Sequence, residues 1–275
     1  MIHDSQNGTR TEQQRETTTA NPYHTQGKKK TRRSKSKSST NKLVIWYTNI
    51  NGLTSKLENL TTILEIDKPH VIILTETKTK KCPRIPGYTW ISQTKPNKAG
   101  GVAVGTRNDI SERAEDVDVE KEGEIEIVWI RLKTKIGNIY VGGYYGKQEG
   151  EKLDTVENEY SQLNTQIIRL AREGQIILAG DFNAKLTVES ERTPQKESRN
   201  GKILQRTLVT TDTEPLNTKA ETARWTRVNR NNTEERSIID YVIVDKKMKK
   251  YMNDIQIDEE GNHRPRGKIC TIKTN

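Results

Sequence analysis

Apolar residues along this chain occur in short runs separated by turn-forming residues. Two of the runs, 71–75 (VIILT) and 175–180 (QIILAG), are almost wholly apolar, as is typical of strands covered on both faces. A third run, 43–47 (LVIWY), is rich in β-branched and aromatic residues and leads into the turn-forming sequence NINGL. These runs predict three buried strands.

Other runs alternate between apolar and polar residues. Those at 101–106, 125–132 and 138–145 follow one another with turn signals between them. We expect them to form an antiparallel meander with one buried face. Residues 223–228 and 236–244 are predicted to be further strands.

Residues at helical spacing predict four helices, at 54–67, 152–172, 200–211 and 246–252. The second has the clearest pattern, because its apolar residues are separated by four, three, four and three positions and form one stripe. The stripe consists of Val156, Tyr160, Leu163, Ile167 and Leu170. Helices lying outside two packed sheets of mixed direction would account for this order of elements, so we predict an α/β fold.

Charge is spread unevenly along the 275 residues, whose formal net charge is +10. Residues 1–42 hold ten Lys and Arg and three Asp and Glu, a net charge of +7, which leaves 37 and 34, or +3, for residues 43–275. Because residues 1–42 have almost no large apolar side chains, we predict a disordered basic tail followed by one folded domain. The tail either contacts nucleic acid or carries a nuclear address, or it only keeps the protein soluble.

Three absences in the sequence bear on its compartment. No apolar run approaches the roughly 18 residues that span a bilayer, and the N-terminus lacks the apolar stretch of a secretory signal. The two cysteines, Cys82 and Cys270, have no zinc-ligand spacing, which fits a reducing compartment. We therefore expect an intracellular protein, and a nuclear one where the basic tail acts as an address.

The segment LAGDFNAKL (178–186) carries the clearest candidate chemistry. Asp181 and Asn183 come at the carboxyl end of a buried strand, and strand alternation would place both side chains on one face. The carboxylate can take a proton from water and the amide can hold a phosphate oxygen, so the pair suits phosphate chemistry. The alternative is a strand that ends in an Asx turn, where both side chains only bond the backbone.

Other polar residues also follow or interrupt predicted strands. Glu76 lies just past a buried strand, where it either binds a hard divalent cation or is an ordinary exposed acid. Asn49 and Asn51 follow the first strand, a common place for asparagine in turns. Asp240 interrupts an apolar strand, and a carboxylate there is costly to bury unless it is paired or functional.

In order and spacing, these segments resemble the endonuclease/exonuclease/phosphatase superfamily over essentially all of residues 43–263. The similarity is greatest to the endonuclease domain of non-LTR, LINE-like retrotransposons. The segments that carry it are NINGL, TETK, VGGYYG, GDFNAKL, WTR and SIIDYVIV. The resemblance implies a DNase I-like four-layer α/β sandwich, in which two packed mixed β-sheets are flanked by helices.

The resemblance also implies an enzyme that hydrolyses DNA phosphodiester bonds with Mg²⁺, or alternatively Mn²⁺, and leaves a 3′-hydroxyl and a 5′-phosphate. Glu76 would be the direct metal ligand, on a metal-binding edge shared with Asn49 and Asn51. Asp181 would orient and deprotonate the attacking water, while Asn183 holds the phosphate.

Four more roles follow from the same resemblance. Tyr145 and Thr226 would contact the phosphate. Asp240, supported by Ser237, would fix the histidine of a C-terminal Ser-Asp-His motif. The chain departs from the family here, because its nearest candidate is His263 in Gly-Asn-His, followed by a predicted strand in KICTIK.

The departure leaves two alternatives open. Either His263 replaces the family's histidine, or it belongs to a variable loop and the motif lies beyond a truncated C-terminus. In both cases we expect activity below that of an intact relative, by the roughly 10²–10⁴-fold typical of losing acid–base help.

Two positions separate the members of the superfamily. DNase I-like nucleases and inositol-phosphate phosphatases have a second active-site histidine near the strand where Tyr145 stands, and repair endonucleases have aspartate where Asn51 stands. We therefore expect a retrotransposon endonuclease that nicks target DNA to prime reverse transcription. It would be a monomer that acts on DNA, separated from the reverse transcriptase domain of an intact element. The alternatives are an inactive DNA-binding remnant and an abasic-site repair endonuclease.

Overall fold

The computed structural model describes most of the chain from Lys42 onward. The described ranges are 42–80, 85–94, 100–119, 125–219, 221–229, 231–232, 234–257 and, for the backbone alone, 270–274. All of them belong to a compact unit of residues 40–275. Residues 1–41 of the predicted tail and His263 lie outside the described residues, so those predictions stay open.

The described residues form fourteen strands and four α-helices. The first seven strands are β1 (Leu43–Asn49), β2 (Val71–Thr75), β3 (Tyr88–Gln93), β4 (Val102–Arg107), β5 (Ala114–Asp116), β6 (Glu126–Thr134) and β7 (Gly137–Tyr145). The others are β8 (Gln175–Asp181), β9 (Thr213–Pro215), β10 (Arg227–Val228), β11 (Arg236–Ser237), β12 (Asp240–Asp245), β13 (Met252–Ile257) and β14 (Cys270–Thr274). The helices are α1 (Leu57–Asp67), α2 (Leu153–Glu173), α3 (Arg199–Thr211) and α4 (Lys246–Lys249).

Twelve of these strands form two six-stranded sheets. The first has the order β13-β14-β1-β2-β4-β3 and the second β5-β6-β7-β8-β12-β9. Each sheet contains one parallel pair, β1 with β2 and β7 with β8, among antiparallel neighbours. β10 and β11 form a separate two-stranded hairpin. The prediction of mixed sheets is confirmed.

Three apolar clusters hold the layers together. One lies between the sheets and includes Ile45 and Ile73 of the first sheet and Val141 and Ile177 of the second. A second joins the outer face of the second sheet to α2 and α3, and a third joins the outer face of the first sheet to α1. The order helix, sheet, sheet, helix confirms the predicted four-layer sandwich. None of the helices in the described part of the chain is long and apolar enough to cross a membrane.

The apolar periodicities locate most of the central elements. The stripe on α2 is buried along its whole length, from Val156 to Leu170. The almost wholly apolar strands β2 and β8 lie between strand neighbours on both sides, with β2 buried throughout and β8 buried from Ile176 onward. Continuous apolar runs are therefore correct indicators of the covered strands.

The predicted meander is wrong. β4 pairs with β2 and β3 in the first sheet, whereas β6 and β7 pair with each other in the second. β4 and most of β7 are also buried on both faces. Alternation of apolar and polar residues predicts which face of a strand is buried. It does not predict which of the two sheets the strand joins.

Strand ends near the site also differ from prediction. The strand expected at 223–228 is reduced to Arg227–Val228, and that at 236–244 is divided into β11 and β12 by Ile238 and Ile239. The break follows from local bonding, because Ile239 and Asp240 donate their backbone N–H groups to the Thr226 hydroxyl.

One close approach between strands brings the two polar ends of the second sheet together. A Cβ at Gly180 would lie 2.0 Å from the backbone oxygen of Tyr144, a distance that excludes every residue except glycine. This contact lies one position before the pairing of Tyr145 with Asp181. The glycine of the GDFN segment therefore fixes the spacing at which those two residues meet.

Candidate active site

Five strand ends meet at one edge of the sandwich. Asn49 ends β1 and Glu76 follows β2 in the first sheet. In the second sheet, Tyr145 ends β7, Asp181 ends β8 and Asp240 begins β12. Asp181 is the register partner of both Tyr145 and Asp240, so it occupies the centre of its group.

The Asn49 side chain joins the two sheets at this edge. Its Nδ2 donates to Oε1 of Glu76 at 2.8 Å and to Oδ2 of Asp181 at 3.0 Å. One amide group thus holds two carboxylates that are more than 100 residues apart in sequence. The predicted metal ligand and the predicted base are neighbours in space.

The same turn occurs twice around this amide. The backbone N–H of Asn51 donates to Oδ1 of Asn49 at 3.1 Å, and that of Asn183 donates to Oδ1 of Asp181 at 3.0 Å. Asn51 and Asn183 both have a positive φ, 45° and 46°, which asparagine tolerates better than most residues. Each N-x-N or D-x-N segment therefore bends the chain away from its strand and leaves its first polar side chain at the edge.

The Asx turn considered as an alternative for Asp181 and Asn183 is therefore present together with the clustering. The strand alternation argument for Asn183 is wrong, because β8 ends at Asp181. Asn183 instead reaches back across the site, where its Nδ2 donates to the backbone oxygen of Gly146 at 2.8 Å.

Glu76 lies among positive groups. Lys78 contacts its Oε2 at 2.7 Å and donates to Oδ1 of Asn51 at 2.6 Å. Burial acts to raise the pKa of Glu76, but hydrogen bonds from Asn49 and Lys78 and the charges of Lys78 and Lys56 outweigh it, so the pKa is lowered. Glu76 is therefore a carboxylate at neutral pH, and the Asn51 oxygen faces an ammonium group.

Asp181 and Asp240 form a buried pair of carboxyl groups. Asp181 is 4% exposed and Asp240 8%. Burial first, and then the charge of Asp240, raise the pKa of Asp181 well above its ordinary value, against the opposing effects of the Asn183 and Asn49 N–H groups. Two acids held this close favour a bound proton or a cation between them.

A tyrosine from the first sheet supports Asp240. The Tyr47 hydroxyl donates to Oδ1 of Asp240 and lies 3.2 Å from the Thr75 hydroxyl oxygen. The Tyr47 ring is buried within the layer between the sheets. Asp240 is thus held from the side of the first sheet, in addition to its pairing with β8.

Tyr145 lies at the rim of the cluster. Burial, together with the nearby charges of Glu76 and Asp181, raises the pKa of its hydroxyl above the ordinary range. The side chain is therefore a neutral phenol over the physiological range and can donate a hydrogen bond to an anion.

Thr226 and Ser237 support the start of β12. The Thr226 hydroxyl accepts the N–H of Ile239 at 2.9 Å and that of Asp240 at 3.1 Å, and the Thr226 N–H donates to the Ser237 backbone oxygen at 2.9 Å. These acceptor bonds leave the hydroxyl hydrogen of Thr226 as the part that can reach a phosphate oxygen. The eight predicted site residues thus all lie at or beside this edge.

Sequence reasoning missed Tyr47 and Lys78 as members of the site. Tyr47 lies within an apolar strand, where a tyrosine is ordinarily a packing residue, and nothing local reveals a partner 193 residues away. Lys78 had a usable signal, since it follows Glu76 by two residues in the TETK segment.

The donors present suit a hard cation, which prefers carboxylate and amide oxygens. Glu76 retains lone pairs beyond those used by Asn49 and Lys78, because a carboxylate can accept about four hydrogen bonds. Among the described residues, no three His, Cys, Asp or Glu side chains are grouped closely enough to enclose a metal ion by themselves.

Comparisons with known proteins also indicate a nuclease fold. A family described as endonuclease-reverse transcriptase matches residues 139–265, which include Tyr145, Asp181 and Asp240. No curated protein matches the chain.

Three solved structures with a similar fold are two endonucleases and a 3′ phosphatase. An AP endonuclease from Leishmania major superposes with a TM-score of 0.68 at 14% identity, covering 85% of this chain and 88% of that one. A 3′ phosphatase from Neisseria, bound to a product DNA hairpin, gives 0.66 at 17% identity, covering 85% and 99%. The endonuclease domain of TRAS1, a telomere-specific non-LTR retrotransposon, gives 0.64 at 14% identity, covering 85% and 98%. These comparisons confirm the resemblance: the chain has the fold of the endonuclease/exonuclease/phosphatase superfamily and is similar to its retrotransposon endonucleases.

Proposed function

We propose that this protein is a metal-dependent endonuclease that nicks DNA, with Mg²⁺ as the natural cofactor and Mn²⁺ as a substitute. The observation that carries the proposal is the bridge from Asn49 to both Glu76 and Asp181. It brings a lysine-flanked carboxylate from one sheet beside a strongly perturbed carboxyl group from the other. Perturbed acids grouped beside a specific charge partner are characteristic of catalytic sites.

Each residue at the edge has a role in this proposal. Asp181, whose raised pKa favours accepting a proton, takes the proton of the attacking water. Tyr145, Asn183 and Thr226 donate hydrogen bonds to phosphate oxygens, because each carries an N–H or O–H that can turn toward the edge.

Metal binding would centre on Glu76, with the amide oxygen of Asn49 and the acid pair Asp181–Asp240 nearby. A divalent cation held there supplies Lewis-acid stabilisation to the phosphate and to the leaving oxygen. Lys78 contacts both Asn51 Oδ1 and Glu76 Oε2, so a cation bound there would compete with this ammonium group for both side chains.

The biological setting is part of the proposal. The match to an endonuclease-reverse transcriptase family and the fold of a retrotransposon endonuclease favour nicking of target DNA before reverse transcription. A neighbour solved with a DNA product supports DNA as the substrate, and the excess of Lys and Arg suits a polyanion. We propose that the protein acts as a monomer and in the nucleus.

The test is nicking of supercoiled plasmid by the full chain. We expect nicking with Mg²⁺ that EDTA abolishes, and that falls by about 10²–10⁴-fold in Asp181→Asn, since the base is lost while the fold is kept. Gln166→Ala is the matched control, because it changes a buried amide of α2 that bonds Trp129 in the core.

Three results would contradict the proposal. Cleavage that EDTA leaves intact would exclude metal dependence. Retained DNA binding without nicking, in both the parent and Asp181→Asn, would instead support an inactive DNA-binding remnant. Nicking confined to a duplex with an abasic site, measured against an intact duplex, would assign the protein to repair.

A further inference from the structure

We propose that Asn200, at the start of α3, is a positioning residue that locks the loop after Tyr145 to the segment that contains Asn183. The inference rests on the proposed nuclease function for its kinetic consequence. Its structural part stands on the contacts of Asn200 alone.

The Asn200 side chain is wholly buried. Its Nδ2 donates to the backbone oxygen of Lys147 at 3.1 Å and to that of Asn183 at 3.3 Å. Lys147 lies two residues after Tyr145, and Asn183 two residues after Asp181. Both N–H bonds of one amide are therefore spent on the loops that leave the two parallel strands of the site.

The rest of the α3 N-terminus reinforces this connection. The Ser198 hydroxyl caps the helix by accepting the Gly201 N–H and also accepts the Lys185 N–H, both at 3.1 Å. Arg199 donates to the backbone oxygens of Glu149 and Glu151. The 146–151 loop and the 183–185 segment are thus both bonded to the same helical turn.

A second bond shows why the spacing of these loops matters for chemistry. The Nδ2 group of Asn183 donates to the backbone oxygen of Gly146. This bond joins the same two loops that Asn200 connects. If the loops separate, the Asn183 amide and the Tyr145 hydroxyl move relative to Asp181. A displacement of about 1 Å in a catalytic group costs up to about 10²-fold in rate.

Asn200→Asp tests the inference, because it keeps the shape of the side chain and replaces both N–H donors with an oxygen. Asn200→Ala is the second variant, in case a buried acid prevents folding. Gln166→Ala is the control, since it removes a buried amide that contacts Trp129 and no loop of the site. Hydrogen exchange of the 146–151 and 182–186 segments is followed together with nicking kinetics.

We expect both Asn200 variants to exchange faster in the two segments and to lose about 10- to 100-fold in kcat. Their far-UV circular dichroism should match that of the parent, which a general loss of folding would not allow. The control should keep the parent's exchange in those segments.

Unchanged exchange in both segments, or a loss of kcat no greater than that of Gln166→Ala at the same melting temperature, would overturn the inference. If the parent protein does not nick DNA at all, the proposed function fails. The exchange measurement then decides the positioning role of Asn200 by itself.

Discussion

Buried acids serve two purposes in this molecule. Asp181 and Asp240 face each other across β8 and β12 at the edge, whereas Glu159 lies beneath it on α2. Glu159 accepts hydrogen bonds from the Tyr144 hydroxyl and from the Lys147 N–H. It supports the loop after Tyr145 from within the core.

Glu159 should make stability depend on pH. Burial raises its pKa above the ordinary 4.5, although bonds from Tyr144 and Lys147 oppose the shift. Because the folded state holds the proton more tightly, the stability from this group is complete below the unfolded pKa and is lost as pH rises through the folded value. The amide oxygen of Glu159→Gln can accept the same two hydrogen bonds. Because glutamine does not titrate, this variant should not lose stability as the pH rises.

We therefore expect the melting temperature of Glu159→Gln to gain on that of the parent as the pH rises above about 4.5, the ordinary pKa of the group. Thermal unfolding at several pH values measures it, with Glu157→Gln on the same helix as the control for removing one charge. If the difference in melting temperature between Glu159→Gln and the parent stays constant or shrinks with rising pH, the burial of Glu159 does not control the pH dependence of stability.

The residues of the site were more predictable than their contacts. Asp181, Glu76 and Asp240 stand out because polar groups at the ends of apolar strands need an explanation. The Asn49 bridge and the Tyr47–Asp240 bond join different sheets, and no local pattern specifies which residues meet across layers. The Ser-Asp-His question stays open, since His263 lies outside the described residues.

At the scale of the element, the N-terminus of α3 is held by close packing. A Cβ on Gly201 would lie 1.8 Å from the backbone oxygen of Lys185, which cannot turn aside as a side chain could. Overpacking of this kind costs about 1–3 kcal/mol. Alanine gains only about 0.5–1 kcal/mol over glycine within a helix, so the clash should prevail.

Gly201→Ala is thus expected to lower the free energy of unfolding, as measured by urea denaturation. Gly150→Ala is the control, since nothing lies within 4 Å of its added Cβ, and it should stay within about 0.5 kcal/mol of the parent. Equal stability of the Gly201 variant and the parent would mean that α3 can withdraw from the loop without cost.

Elements with a strong period were predictable and those set by their neighbours were not. α2 follows its apolar stripe, and β8 its apolar run. The edge strand β5 is only three residues long and forms against β6, so its sequence has no pattern of its own. The assignment of β4 to the first sheet likewise depends on pairing with β2 and β3.

At the scale of the whole molecule, most of the net positive charge belongs to the first 42 residues, which hold +7 of the total of +10. Residues 43–275 carry only +3, so any sequence-independent attraction to DNA should come largely from this segment. The prediction that it engages phosphates is testable apart from catalysis.

Changing Lys28, Lys29, Lys30 and Lys35 to Gln should weaken DNA binding in EDTA and flatten its salt dependence. The log–log slope should fall by about 0.9 for each phosphate that the variant no longer neutralises. The control changes Lys246, Lys247, Lys249 and Lys250 to Gln, at the end of β12 away from Asp240. Equal slopes for the two variants and the parent would exclude phosphate binding by the segment and leave it as a nuclear address or a solubilising terminus.

The close approach at Gly180 has a consequence for how this fold can diversify. A side chain at Gly180 would collide with Tyr144, so the glycine allows the close spacing of β7 and β8. This requirement does not depend on the chemistry of the residues at the ends of the two strands. Substitutions at positions 181 and 183 could alter the reaction and keep the spacing of β7 and β8. A side chain at position 180 would instead displace Tyr145 and Asp181 relative to one another. A descendant that had lost activity could therefore still keep this glycine. Its presence indicates the fold more directly than it indicates catalysis.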